Sequence, residues 1–384
     1  MIRILFTIPN FITAGSGGAM LNIVSRLDRR KFEPAVCVLK RGGKLDRVVE
    51  EMGIPLLEAP FLVGARPYVT LPARAWEAAR VFRPYRFDLW HSFHYGDDYT
   101  EPLIAYLAGA KAWVYTKKNM NWRGRAWKVR SFLARGIAAQ NSDMLEQFFA
   151  SRWFHDKTRL IPPGVDMEKF RPQREARLGM RRKLTTPAGA RVALAVGHVL
   201  PVKGHDLLLE AVRGMDGIEV WIAGSMAGGE YCEKLQGVAN SDGLTGKVRF
   251  LGAMDDVGAL HAEADVYVHP SRQEGCPVAL LEAMASGMAC IATDVAGCRD
   301  VIEDGRSGLL VRALDAEALR AAIRRVLSDD GLRRRLGEGA RRRIEEQYSI
   351  EREVARHEEM YRTVLEIDRL DSVFQQILTF PKAL

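Results

Sequence analysis

The feature that most restricts this chain is a rhythm. Short apolar runs of strand length alternate with helix-period segments from end to end. In the first half "IRILFTI", "FEPAVCVL", "DLWHSF", "AWVYT" and "GIAAQN" read as strands, with helix-like "AMLNIVSRL", "LPARAWEAARVF" and "EPLIAYLAG" between them. The second half restarts the pattern with "VALAVG", "EVWIAG", "VRFLG", "VYVHPS", "ACIAT" and "GLLV", spaced by "HDLLLEAV", "GALHAEA", "PVALLEAMA" and "DAEALRAAIRRVL". Strands apolar on both faces and separated by helices form parallel sheets covered on both sides. Eleven such runs exceed the eight strands of a single barrel, so the pattern predicts an α/β chain of two doubly wound domains.

The seam falls in "RLIPPGVDMEKFRPQREARLGMRRKLTTPAGA", where prolines, glycine and a charge run break the periodicity. This places one Rossmann-like domain at residues 1–165 and a second at 166–349, followed by a helical stretch over 350–384. The start, "MIRILFTIPNF", reads as a first strand and not as a secretory leader, and no segment reaches the ~20 apolar residues of a membrane span. Five cysteines without a CxxC pair fit a reducing compartment and argue against structural zinc, so a cytoplasmic protein is expected.

The net charge of +8 is unevenly spread. "WRGRAWKVRSFLAR", Trp122 to Arg135, carries five basic and no acidic residues, with Trp122, Trp127 and Phe132 interleaved. Such a segment suits anionic lipid headgroups or a polyprenyl diphosphate, and predicts peripheral contact with the inner face of a membrane. Nucleic acid is a poorer fit, because no recognised binding module is present. The arginines at 333–335 and 341–343 alternate with Glu338, Glu345 and Glu346 and read as a solvated helix face.

Doubly wound sheets bind ligands at the carboxyl ends of their strands, so the residues of interest follow strands directly. After the first strand, "IPNFITAGSGGAML" offers Gly15, Gly17 and Gly18 for a tight turn and close backbone approach to an anion. Its spacing is neither GxGxxG nor a Walker loop. In "LAVGHVLPVKGHDLLLEA", His198 follows a strand and Lys203 precedes a helix, where an ammonium is a good partner for a diphosphate. The adjacent pairs Asp97-Asp98 and Asp255-Asp256 have the character of helix caps, so no metal is expected.

"SRQEGCPVALLEAMASG" places Glu274 and Glu282 on either side of a helix that Pro277 should open. Free amides from about Cys276 to Leu280 favour a phosphate there. Glu282 would repel the phosphate but can accept hydrogen bonds from ribose hydroxyls, and Glu274 can take those of a second sugar. Two such carboxylates straddling a diphosphate cradle describe a site for a nucleoside diphosphate sugar. On spacing alone, the pair also reads as one surface glutamate and one capping glutamate.

"EGCPVALLEAMASG" resembles the Glu-x7-Glu motif of the retaining, GT-B-fold glycosyltransferases of family 4. "GSGGAMLNIVSRL", "DLWHSFHYGDD", "RLIPPGVDMEKFRP", "GHVLPVKGHDLLLEAV", "VRFLGAMDDVGALHAEADVYVHPSRQEG" and "AGCRDVIEDGRSGLLV" resemble further parts of that family, over nearly the whole chain. The resemblance implies a GT-B fold, two Rossmann-like domains facing across a cleft, with the stretch 350–384 crossing back onto the first. It implies that Glu282 binds the nucleotide ribose and Glu274 the donor-sugar hydroxyls. The amides of Gly275, Cys276, Val278, Ala279 and Leu280 would hold sugar and phosphate, Lys203 the diphosphate, and Gly17 with Gly18 the phosphate from the first domain. The donor is then a nucleoside diphosphate sugar, with no further cofactor, and the acceptor a glycan or a lipid-linked molecule in polysaccharide or glycolipid synthesis.

Two departures stand out. His198 replaces the family's usual arginine, and Lys118 in "VYTKKNMNW" occupies the place of a frequent histidine, where it could serve a diphosphate or another anionic group. His91 and His94 are alternative imidazoles for the same region, and His94 and Lys118 join Glu274 and Lys203 as catalytic candidates. The departures also keep open a catalytically silent sugar-nucleotide-binding subunit. A GT-B epimerase would lack the Glu-x7-Glu arrangement.

Overall fold

The computed structural model describes the chain except for residues 12–13, 123, 173–178, 227 and 367–384. It divides into two compact units, one of Met1–Pro162 with the chain from Glu351 onward, the other of Pro163–Ile350. The first unit is built on β1 (Ile2–Ile8), β2 (Phe32–Val38), β3 (Leu56–Glu58), β4 (Leu89–Ser92), β5 (Ala112–Lys117), β6 (Gly136–Ala139) and β7 (Thr158–Leu160). These form one sheet in the order β3-β2-β1-β4-β5-β6-β7, with every pairing parallel. The second unit contains β8 (Arg191–Val196), β9 (Ile218–Ala223), β10 (Val248–Gly252), β11 (Val266–His269), β12 (Cys290–Thr293) and β13 (Leu309–Val311). Their order is β10-β9-β8-β11-β12-β13, again all parallel. Both units are doubly wound.

The sequence pattern predicts eleven strands; the two it misses, β3 and β7, are three-residue edge strands of the first sheet. The central strands explain why the rest were legible. Ile4, Leu5 and Phe6 are consecutive in β1 and all fully buried, which requires a covering layer on each face. Helix starts are fixed by short polar side chains. Asn141, Asp315 and Asp329 accept from the backbone N–H of Met144, Ala318 and Leu332 at 2.8, 2.9 and 2.8 Å, caps worth ~1 kcal/mol each.

The helix Ile350–Glu366, from Glu351 onward, belongs to the first unit, although it follows the second in sequence. Val354, His357, Met360, Tyr361 and Val364 recur at helical spacing and are all buried. The Tyr361 hydroxyl lies 2.7 Å from His91 Nδ1, and the Glu358 carboxylate accepts from the Asp28 N–H at 2.9 Å.

The segment Trp122 to Arg135 is only in part the outward basic patch that its composition predicts: Arg125 and Lys128 are exposed, whereas Arg130 is not. Arg123 lies outside the described residues. Trp122 and Trp127 stack with ring centroids 6.0 Å apart, and they and Phe132 pack against the first unit's core. Arg130 is fully buried: it donates to the Asp98 carbonyl at 2.7 Å and to Ser92 Oγ at 2.9 Å, and lies 3.5 Å from the Glu101 carboxylate. Glu101 in turn accepts from Thr7 and Ser92 hydroxyls at 2.5 and 2.6 Å. A guanidinium so enclosed by hydrogen bonds cannot meet a lipid headgroup.

Candidate active site

In the second unit the strand order reverses between β8 and β11, which pair side by side. The loops after these strands therefore emerge together, at the switch point where doubly wound sheets take ligands. The loop after β8 carries His198 and Lys203, and the loop after β11 carries Glu274. Two devices join the loops. Arg272 makes a bidentate pair with Asp206 at 2.9 and 2.7 Å and also donates to the Pro201 carbonyl at 2.6 Å. Gly204 has φ +66°, and a Cβ there would stand 2.0 Å from the Pro270 carbonyl oxygen. Only glycine permits that approach.

At the centre sits Glu274, buried at the end of its loop. Its Oε1 receives Lys203 Nζ at 2.6 Å, Ser271 Oγ at 2.8 Å and His269 Nε2 at 2.9 Å. The hydrogen bonds to this carboxylate all fall on Oε1, so among the described residues Oε2 remains free to accept. Burial alone would raise the carboxyl. The His269 hydrogen bond and the Lys203 ammonium outweigh it and hold the group down at about 2. Lys203 thus spends one of its three donors on Glu274 and stays partly exposed, with the others available.

Glu282 presents the opposite electrostatics. It lies in the first turns of the helix Val278–Ala285, which Pro277 opens. No described residue donates to its carboxylate, and burial pushes the group up to about 7, with Lys169 drawing it partly back. Of the amides expected to face a phosphate, Val278 donates to the Cys276 carbonyl at 3.1 Å and Leu280 to the Pro277 carbonyl at 2.9 Å. Their share in anion binding is correspondingly reduced; Ala279 opens the same turn, and Gly275 packs its carbonyl against Gly297. His198 is exposed, its Nδ1 2.5 Å from Ser225 Oγ, which leaves Nε2 outward.

In the first unit, Gly17 and Gly18 do not form a loop. The first helix runs from Ala14 to Arg26, so both lie about a turn inside it. A Cβ on Gly17 would come within 2.7 Å of Phe11 Cδ1 and 2.8 Å of Leu45 Cδ1; close packing explains the residue there. His91 is a core group, bridged to Tyr361 and to Thr116 Oγ1 at 2.7 and 2.8 Å. Burial depresses the half-buried His94, with Glu101 opposing, and its Nδ1 is unpartnered. Lys118 Nζ is buried without an acceptor among the described residues, 4.2 Å from the Phe93 ring centre, and burial lowers it to about 7 against the pull of Glu353. His94 and Lys118 thus answer to different charges, the former to Glu101 and Arg130, the latter to Glu353.

Sequence reasoning missed His269, Ser271, Asp206 and Arg272. The signal was the strand-end "HPSR" just before Glu274, which a sharp loop folds back onto that carboxylate. The aspartate pairs behave as caps: Asp98 Oδ1 accepts from the Thr100 N–H at 2.7 Å, and Asp256 Oδ1 from that of Ala259 at 3.3 Å.

Residues 14–169 match the family model described as Glycosyltransferase Family 4, and residues 177–343 that of Glycosyl transferases group 1. A lipopolysaccharide core biosynthesis glycosyltransferase, LpsE, of Rhizobium meliloti is 36% identical over 171 residues, covering 44% of this chain and 49% of that protein. The chain spans about half the length of the curated relatives it matches. A glycosyltransferase from Rickettsia africae superposes with a TM-score of 0.82 at 19% identity, over 96% of this chain and 99% of that one. Anabaena HepE in complex with UDP and glucose gives 0.82 at 18% identity, over 94% and 100%. These superpositions establish the GT-B fold.

Proposed function

We propose that this chain, whose two halves match glycosyltransferase family models, is a GT-B glycosyltransferase of the family 4 type that moves a sugar from a nucleoside diphosphate to a glycan or lipid-linked acceptor, with retention of configuration. The observation that carries the reading is Glu274. Its carboxylate is buried and charged, held through Oε1 by three donors, and its remaining oxygen is open to sugar hydroxyls. Such a group can position a polyol through its second oxygen while Oε1 stays committed to its three partners. Lys203 touches the same carboxylate and keeps donors for the diphosphate, so one ammonium would link sugar position to leaving-group charge. The β-phosphate itself would accept the acceptor's proton as it departs. The relative's involvement in lipopolysaccharide core synthesis supports a glycan or glycolipid acceptor. Incubation with a panel of UDP-, GDP- and ADP-sugars, read as nucleoside diphosphate release, tests the proposal; no release and no binding from any donor would refute it.

Glu282 adds a pH signature. A carboxylate accepts ribose hydroxyls better than a carboxylic acid, and this group titrates at about 7. Affinity for the bare nucleoside diphosphate should therefore rise as pH goes from about 6 to 8. Glu282→Ala should weaken it by ~1.5–3 kcal/mol at pH 8 and flatten that rise. The free protein should move oppositely: a carboxyl raised by folding contributes stability fully present below its ordinary range and lost as pH climbs through 7. Calorimetry of both proteins across this window decides the point.

Activity should also survive EDTA, since Lys203, beside Glu274, would meet the diphosphate, and Asp98 and Asp256 of the adjacent pairs accept from helix-start amides. Complete loss with EDTA, restored by manganese or magnesium, would reassign the diphosphate to a metal.

A further inference from the structure

The turn that carries Lys203 has little of its own to hold it. Lys203 closes a single 3-10 turn, Pro201–Lys203, set between an extended Leu200 and Gly204 in the left-handed region. Leu200 is 43% exposed and Val202 37%, so apolar burial does not anchor the turn to the unit. Within it, the Lys203 N–H donates to the Leu200 carbonyl at 2.9 Å and the Gly204 N–H to that of Pro201 at 3.2 Å. A short 3-10 turn is a weak platform for a long lysine side chain. Lys203 Nζ nevertheless stands 2.6 Å from Glu274 Oε1, on a different loop.

Arg272, two residues before Glu274, supplies the anchors. Its backbone N–H donates to the Val202 carbonyl at 2.8 Å. Its guanidinium donates to the Pro201 carbonyl at 2.6 Å and to the two oxygens of Asp206 at 2.9 and 2.7 Å. One residue thereby grips the chain at 201, 202 and 206, on both sides of Lys203. Asp206 is fixed in turn, because the Tyr231 hydroxyl, from the helix Glu230–Ala239, donates to its Oδ1 at 2.8 Å. Burial would raise the Asp206 carboxyl, but the hydrogen bonds from Arg272 and Tyr231 outweigh it and hold the group below its ordinary range. A surface ion pair is worth little by itself. This one differs because the same guanidinium also holds a backbone carbonyl of the turn that presents Lys203.

We propose that Arg272 is a positioning residue for sugar transfer, acting through Lys203 by setting its ammonium against the Glu274 carboxylate. A lysine could not replace it, since only the planar fork meets Asp206 with two donors while keeping another for Pro201. The kinetic consequence rests on the transfer reaction proposed above: an error of about 1 Å between ammonium and carboxylate would misplace sugar and leaving group relative to each other. The placement of Lys203 itself can be measured without turnover.

The test pairs steady-state kinetics of the full chain with chemical labelling of Lys203. Arg272→Ala should lower kcat by ~10²-fold while the KM for the donor changes by no more than about threefold. Arg272→Lys should lose roughly tenfold and melt within about two degrees of wild type. In a Lys203→Ala background, adding Arg272→Ala should cost less than about a further twofold, because a residue that acts through Lys203 then has nothing left to position. Arg312→Ala, which breaks an exposed pair with Asp315 in the same unit, should leave turnover unchanged. Acetylation of Lys203 by a limiting amine reagent, read by mass spectrometry, should quicken severalfold in Arg272→Ala. A wild-type protein that releases no nucleoside diphosphate from any donor refutes the transfer reaction alone, and the labelling still decides the role of Arg272. The proposal is overturned if Lys203 labels in Arg272→Ala as it does in wild type. It is equally overturned if an active wild type and Arg272→Ala share the same kcat, or if the loss adds in full on top of Lys203→Ala.

Discussion

Arg130→Ala is expected to lower the melting temperature of the first unit by about 10 °C or more, the largest stability effect of any single exposed-looking cation in this sequence. Arg130 and Glu101 are both fully buried, 3.5 Å apart, and share Ser92 as a common hydrogen-bond partner. The guanidinium also lies 4.7 and 4.9 Å from the centres of the Trp113 and Tyr115 rings. Its removal leaves a cavity and an uncompensated carboxylate, and breaking a buried pair in this way costs ~3–5 kcal/mol. For a unit of this size each kcal/mol moves the midpoint by ~2–4 °C. Lys128→Ala, two residues earlier on the same helix but exposed, should shift it by no more than a degree or two. Pairing Arg130→Met with Glu101→Gln should recover much of the loss, because no charge is then stranded. A melting curve of Arg130→Ala that overlays wild type would mean the pair carries no net stability.

The same arginine shows where the sequence stops being legible. Its neighbours in the chain are basic and aromatic, which reads as a surface. The partner that buries it, Glu101, lies on a different helix, and nothing local announces the pairing. Conversely, Tyr68 and Val69 are exposed, although the apolar run Tyr68-Val69-Thr70-Leu71 after Pro67 reads simply as the approach to a helix. The central strands were legible because burial on both faces forces uninterrupted apolar runs such as Leu5-Phe6. Edge strands such as Leu56–Glu58 bury little and carry no such signature. At the site, Glu274, Glu282 and Lys203 could be placed by their positions relative to strand ends and Pro277. His269 and Ser271 could not, because their role depends on a turn that brings them back to Glu274 Oε1. Gly17 shows a related ambiguity: a glycine packed against Phe11 and Leu45 looks, in sequence, the same as one needed for a ligand.

Glu274 carries the largest expected effect on turnover. Glu274→Gln keeps the shape but removes the charge that gathers Lys203, His269 and Ser271. Lys203 would be released from its 2.6 Å contact, and the side-chain amide would turn a donor toward one of these groups. Transfer should fall by ~10²–10³, the scale seen when one preorganised electrostatic contact is lost, while affinity for the bare nucleoside diphosphate changes far less. Glu274→Asp separates charge from position. It restores the anion but withdraws it by one methylene from either the donors or the sugar, and a displacement of about 1 Å can cost 10²-fold. Aspartate should therefore remain severely impaired, and His269→Gln, which keeps a donor near the imidazole Nε2 position, should retain more activity than His269→Leu. The stability record should agree. A carboxyl held at about 2 contributes stability that is present above its ordinary range and lost as pH falls toward 2. Wild type should lose stability relative to Glu274→Gln over that acid window and nowhere above pH 5. Should Glu274→Gln turn over within a few-fold of wild type, or should turnover and nucleotide affinity fall together, the carboxylate is a structural anchor for Lys203 and the sugar is held by other groups.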